Sequence, residues 1–224
     1  MDFKTTRWIA GLAFCITPAL GQTANIYAEG RLGYFTASDV TTETYSGTAA
    51  GIDFNNFKGE LDYDDDFFFG GEVGVDLNDG FRVGLSYRDI ELSFGSANVT
   101  GSATDGTTTI DVNAPVSRDD VSSLGLTFDS DAQVLLASVY YDFQTDDPLT
   151  PFLGLGIGQA DIKSLKSDEN VISATVGAQY DLQDNWYATA SASYMQIDGG
   201  EDDLGIRYED IDVYLFDVGI GYKF

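Results

Sequence analysis

The sequence contains no histidine, and its only cysteine is Cys15. Without an imidazole, the Ser-His-Asp and Cys-His nucleophile systems are closed to it. A chain whose one thiol falls near its start also has no disulfide framework and no thiolate or imidazole metal ligand further on. Basic residues are scarce, 11 Lys+Arg against 37 Asp+Glu, for a formal charge of −26. Phosphate-backbone recognition starts from a basic surface, so nucleic acid is excluded as a partner. Strong acidity often accompanies disorder, but 13% aromatic and 43% hydrophobic residues give this chain enough apolar surface to bury. At 224 residues it is one domain, or one domain and a processed leader.

Residues 1–21 read as that leader. Lys4 and Arg7 precede an apolar run over residues 8–20, and small residues follow at Ala19 and Gly21. This is the layout of a secretory signal peptide, cleaved after Gly21 or, alternatively, after Ala24. The run is too short for a membrane-spanning helix, which needs about 20 apolar residues. Bulky Phe14 before Cys15 argues against a lipoprotein site. Removing residues 1–21 leaves 9 basic and 36 acidic residues, a charge of −27 on an exported domain of residues 22–224.

Strict alternation then governs the chain. Tyr214, Phe216, Val218, Ile220, Tyr222 and Phe224 share one face of a terminal segment, opposite Val213, Leu215, Asp217, Gly219, Gly221 and Lys223. A period of two over this length specifies a strand. Similar segments fall over residues 28–35, 67–77, 81–88, 133–143, 152–158, 172–182 and 186–194, giving eight strands. A change of parity near Asp89 and Ile90 suggests a bulge. Short turns are expected near residues 78, 147 and 184, and longer connections near 50, 112, 167 and 204. Acidic residues 38–64 and the Gly/Ser/Thr/Asp-rich residues 95–130 read as open loops. This rhythm fits an even-stranded antiparallel barrel with short turns at one rim and long loops at the other.

The polar faces help decide which side is inside. In the later strands they carry Gly154, Gly156, Gly158, Ser173, Thr175, Gly177, Thr189, Ser191 and Ser193. A water-facing sheet would carry larger charged residues, whereas small polar ones suit a narrow lumen. Glu29, Arg31, Glu72, Arg82 and Arg88 are expected inside it, where opposite charges must pair. Aromatics at strand ends, among them Tyr34, Phe67, Phe81, Phe143, Trp186 and Tyr194, suit interfacial girdles. A soluble lipocalin-like barrel is the competing arrangement.

The last eight residues place Asp217, Gly219, Tyr222 and terminal Phe224 in a pattern that resembles the assembly signal of bacterial outer-membrane β-barrels. Residues 22–224 together resemble the eight-stranded group of the OmpA transmembrane domain, OmpX, OmpW and the opacity-type proteins. The resemblance implies an up-and-down transmembrane barrel in the bacterial outer membrane, with periplasmic turns and extracellular loops. It further implies contact with lipid and lipopolysaccharide, insertion by the outer-membrane assembly machinery through the terminal strand, a monomeric state and no catalytic role. Because the sequence ends at Phe224, no peptidoglycan-binding domain of the OmpA kind is expected.

Chemistry-bearing motifs are weak. Gly154-x-Gly156-x-Gly158 lacks the third glycine and the following helix of a dinucleotide loop. Asp62, Asp64, Asp65 and Asp66, and separately Glu201, Asp202 and Asp203, are acid clusters without the calcium-hand spacing. They read as solvated loops, and nothing pairs two carboxylates for glycoside hydrolysis. No cofactor or metal is expected. The expected function is a structural surface protein displaying acidic loops. The alternatives are an adhesin or ligand-binding surface module carried by residues 38–64 and 95–130, and a narrow channel for small or hydrophobic solutes. An eight-stranded lumen is too narrow for a general porin.

Overall fold

The computed structural model describes residues 25–49, 51–77, 79–123, 129–202 and 205–224. The expected leader, Asn78 and Asp203 lie outside them. In order, the elements are β1 (Asn25–Ala37), β2 (Val40–Thr41), β3 (Tyr45–Ala49), β4 (Ile52–Asp64), β5 (Asp66–Asp76), β6 (Phe81–Thr104), β7 (Thr109–Ser117), α1 (Arg118–Ser123), β8 (Ser130–Asp142), β9 (Leu149–Ile162), β10 (Glu169–Asp181), β11 (Trp186–Ile197) and β12 (Ile211–Lys223).

Eight of these strands close on themselves. The ring runs β1, β5, β6, β8, β9, β10, β11, β12 and back to β1, every pair antiparallel. Closure leaves no unpaired edge within the ring. Its outward face is the apolar one, with Leu155 71% and Ile157 69% exposed, while inward Phe35 and Val134 are fully buried. Val75, on the outward parity of β5, is nonetheless buried.

The tight turns close one end. Asp79 and Gly80 both adopt positive φ (53° and 84°), a conformation glycine takes without penalty. At this end Phe81, Tyr141 and Phe143 pack edge to face, as do Trp186, Tyr222 and Phe224. At the other end Tyr34 packs on Phe67 and Tyr194 on Tyr214. Along β12 the two aromatic belts stand eight residues apart, at Tyr214 and Tyr222. At about 3.4 Å per residue and a tilt of about 40°, that is about 20 Å along the axis.

The loop end departs from the sequence expectation. Residues 38–64 and 95–130 are largely strand, not open loop. The twelve residues of β6 past Leu92, where β8 leaves it, project about 40 Å at about 3.3 Å per residue. That extension pairs with β4 on one side and β7 on the other, and β4 carries β2 and β3 on its far edge. Asp105 turns the β6–β7 hairpin by accepting hydrogen bonds from the backbone N–H groups of Thr107 (2.8 Å) and Thr108 (2.7 Å). The connection expected to be long near residue 167 spans only residues 163–168.

No bulge interrupts β6 at Asp89 and Ile90. The registers to β5 and β8 run unbroken through both residues. Inward Arg82, Ser86, Arg88, Ile90 and Phe94 keep one parity, and all are buried. What changes near Ile90 is the chemistry of the lumen: its filling passes from polar to apolar, and the sequence alternation inverts with it.

Candidate functional site

The turn-end half of the lumen is a buried ionic network. Register places Glu29 directly opposite Glu72, a like-charge pair that needs a cation between its members. Arg31 supplies it, contacting Glu29 (2.8 Å), Glu72 (3.4 Å) and Asp217 (3.5 Å), with every side chain at most 2% exposed. One guanidinium thereby ties β1, β5 and β12. Glu72 also accepts hydrogen bonds from the Tyr27 and Tyr140 hydroxyls, both at 2.6 Å. Glu29 accepts from Thr189 (2.7 Å), and Asp217 from Ser191 (2.8 Å). Such contacts make a buried charge tolerable, while Glu29 Oε2 and Asp217 Oδ2 lie buried with no hydrogen-bond partner among the described residues.

Of the five lumen charges named from the sequence, Glu29, Arg31 and Glu72 meet. Arg82 instead pairs with Asp142 (2.7 Å) and lies against the rings of Tyr27, Tyr140 and Phe152 at 4.9–5.4 Å. Arg88 donates to the Met195 sulfur at 3.2 Å, at the border of the apolar zone. Asp142 and the tyrosines escaped the sequence reading. Tyr27 and Tyr140 stand on the inward parity of β1 and β8, which was the available signal.

The terminal pattern is spread over both faces. Asp217 sits in the ionic network, and at Gly219 an added Cβ would come within 2.6 Å of Glu29 Oε1 and Thr189 Oγ1. Tyr222 and Phe224 pack edge to face on the outer surface, and Phe224 N–H donates to the Ile26 carbonyl (2.8 Å).

The loop-end half of the lumen is apolar, which the sequence reading did not anticipate. Phe35, Phe68, Val134, Leu136, Val171, Met195 and Leu215, each at most 1% exposed, form a plug across the ring. Above the plug opens a chamber of about 800 Å³. Its walls are Ile90, Ile162, Ile197 and Val213 from the ring, Phe57, Leu61 and Tyr63 from β4, Phe94, Ala97 and Val99 from β6, and Val121 from α1. Among the described residues, the charged ones lining it are Asp120, Asp129, Asp202 and Lys58.

Contacts between separate connections hold the chamber together. Tyr208 bridges to Thr42, and Leu165 to Asp202. The Tyr45 hydroxyl donates to the Gly205 carbonyl (3.2 Å), and Lys166 pairs with Glu201 (2.6 Å). Lys166 and, secondarily, Arg207 hold the Glu201 carboxyl below its ordinary range. Thr41 and Lys58 do the same for Glu209. Burial, reinforced by Asp202, raises the Tyr208 hydroxyl, so it is neutral at physiological pH.

Of the acid clusters, Asp202 borders the chamber, whereas Asp64 pairs with Arg118 (2.5 Å) and Asp65 accepts from the Tyr34 hydroxyl (2.9 Å). Among the described residues no three metal-ligating side chains come together. The arrangement offers an apolar enclosure.

A family model described as "Outer membrane protein beta-barrel domain" matches residues 9–224. Protein opa of Haemophilus influenzae (strain ATCC 51907 / DSM 11121 / KW20 / Rd) is 30% identical over 102 residues, covering 41% of this chain and 79% of that protein. An uncharacterized protein of Brucella abortus (strain 2308) is 26% identical over 198 residues, covering 79% of this chain and 67% of that protein. The crystal structure of Neisserial surface protein A (NspA) superposes with a TM-score of 0.54 at 16% identity, covering 91% of this chain and 100% of that one. At that identity the likeness concerns the fold alone.

Proposed function

This chain belongs to the outer membrane protein β-barrel family, and we propose that its barrel is a sealed anchor carrying an extracellular receptor for a small hydrophobic molecule. The single observation behind this reading is the chamber of about 800 Å³, apolar on nearly every wall and floored by the buried plug. Ligand pockets of this size class are mostly apolar enclosures with few polar groups. The reading favours the ligand-binding surface module over a purely structural role. Two consecutive barriers, plug and ionic network, oppose the narrow channel. The acidic loops face outward around the chamber, toward lipopolysaccharide. The assembly machinery recognises the terminal strand through Asp217, Gly219, Tyr222 and Phe224, and the barrel works as a monomer.

The test is binding of a neutral fluorescent probe, 1-N-phenylnaphthylamine, to protein in nanodiscs of zwitterionic lipid. Saturable binding is expected, lost in Ala97→Trp, which fills the chamber, while heat-modifiable gel migration persists. Signal no greater than that of empty nanodiscs would remove the receptor reading.

A further inference from the structure

Hydrogen-bonding side chains are few in the chamber wall, and nearly all are committed within the protein. Thr42 Oγ1 accepts from the Gly59 N–H (2.8 Å), and Ser130 Oγ donates to Ser164 Oγ (3.2 Å). The Tyr45 hydroxyl donates to the Gly205 carbonyl (3.2 Å) and accepts from the Arg207 N–H. Tyr208 donates to Asp202 (3.1 Å), which also accepts from the Ile206 N–H (2.8 Å). Asp120 accepts from the Ser117 hydroxyl (2.6 Å), and Asp129 from the Phe94 N–H (2.9 Å). Tyr63 differs. Among the described residues its hydroxyl has no hydrogen-bond partner, although it lines the same wall. Its ring is held by edge-to-face packing on Phe94, centroids 6.5 Å apart, beside the register shift of β4 against β6 between Asp62 and Tyr63. Burial, reinforced by Asp129, raises the pKa of this hydroxyl, so it keeps its proton at physiological pH and remains a donor.

We infer that the Tyr63 hydroxyl is the polar contact of the receptor, donating to the carbonyl oxygen of an uncharged hydrophobic ligand, an ester or a ketone. This rests on the receptor reading above and adds the ligand's functional group to it. The hydrocarbon part of the ligand lies against the apolar wall, where removal from water drives binding. Its carbonyl accepts from Tyr63 and is oriented by it, the task that a few placed polar groups perform in apolar pockets. An ionised headgroup fits less well. Lys58, the one cation among the described lining residues, already pairs with Glu209 (3.6 Å), and a charge taken from water without a partner is costly.

Competition separates this inference from the reading it rests on. Methyl decanoate, decane and decanoate are titrated against bound 1-N-phenylnaphthylamine on nanodisc-embedded protein, with empty nanodiscs subtracted. Tyr63→Phe removes a hydroxyl with no partner in the protein, so its heat-modifiable migration and urea midpoint should match the wild type. Displacing the probe from Tyr63→Phe should take about fivefold more ester than from the wild type, the worth of one hydrogen bond, with decane unchanged. Tyr208→Phe, whose hydroxyl is already donated to Asp202, should leave the ester-to-decane ratio as in the wild type. Decanoate should displace more weakly than its methyl ester. Probe binding with an ester-to-decane ratio unaffected by Tyr63→Phe, or equally reduced by Tyr208→Phe, would overturn the Tyr63 contact and leave the receptor standing. Decanoate displacing at lower concentration than the ester would overturn the uncharged class. Failure of the probe to bind at all would overturn both the receptor and the contact.

Discussion

The two halves of the lumen are built by the same eight strands, at the same inward parity, and filled by opposite chemistry. At the turn end β1 contributes Glu29 and Arg31, and at the loop end Phe35; β12 contributes Asp217 and then, toward the loops, Leu215 and Val213. The outward faces show no such change, because lipid surrounds the barrel at every height. The difference teaches that lumen chemistry is set by what each level must seal or join. An ion network gives directional ties between strands distant in sequence. An apolar plug excludes water and ions without needing partners.

Substitutions at matched levels sharpen the contrast. The largest loss is expected from Glu72→Ala, which strips Arg31, Tyr27 and Tyr140 of a shared acceptor and leaves a buried cation underpaired. The cost is about 3–5 kcal/mol, read as a lower urea midpoint for unfolding from lipid vesicles. Leu136→Ala in the plug should cost about 3 kcal/mol by opening a cavity, without any change in ion pairing. If the plug substitution proves neutral and the ionic one remains severe, the apolar half is not a packed seal.

The smallest effect is expected at the rim. Glu201 titrates below its ordinary range because Lys166 and Arg207 favour its charged form. Its contribution is therefore present above the unfolded carboxyl's pKa and lost as pH falls through the lower folded value. Hydrogen-exchange protection, taken relative to the intrinsic rate at each pH, should fall in residues 198–202 and 205–210 below the usual glutamate range, and Lys166→Ala should bring the same loss of protection at neutral pH. Protection independent of pH in the wild type would remove the tie.

The outward face was legible in the sequence because one solvent acts along the whole strand. Leu153, Leu155 and Ile157, or Phe216, Val218 and Ile220, alternate without exception. The lower lumen was legible in part, since Glu29, Arg31, Glu72 and Arg82 interrupt apolar strands. The plug was not, although its signal was present. Val134, Leu135, Leu136 and Ala137 are consecutive apolar residues, meaning both faces of β8 are apolar there, and the inverted parity at Ile90 reports the same boundary. The extracellular strands were obscured for another reason. They are rich in polar and small residues, and the β4–β6 register shifts between Asn55 and Lys58 and again between Asp62 and Tyr63. A bulge resets alternation, so periodicity fades where pairing persists.

The division of the lumen into a sealed apolar level and a cross-linked ionic level is tested most directly by current through the folded barrel. Protein whose heat-modifiable migration confirms folding is inserted into planar lipid bilayers in potassium chloride. Electrical silence is predicted for the wild type. A steady ohmic conductance, absent from protein-free bilayers, would contradict the account: a continuous aqueous path cannot coexist with a dry plug.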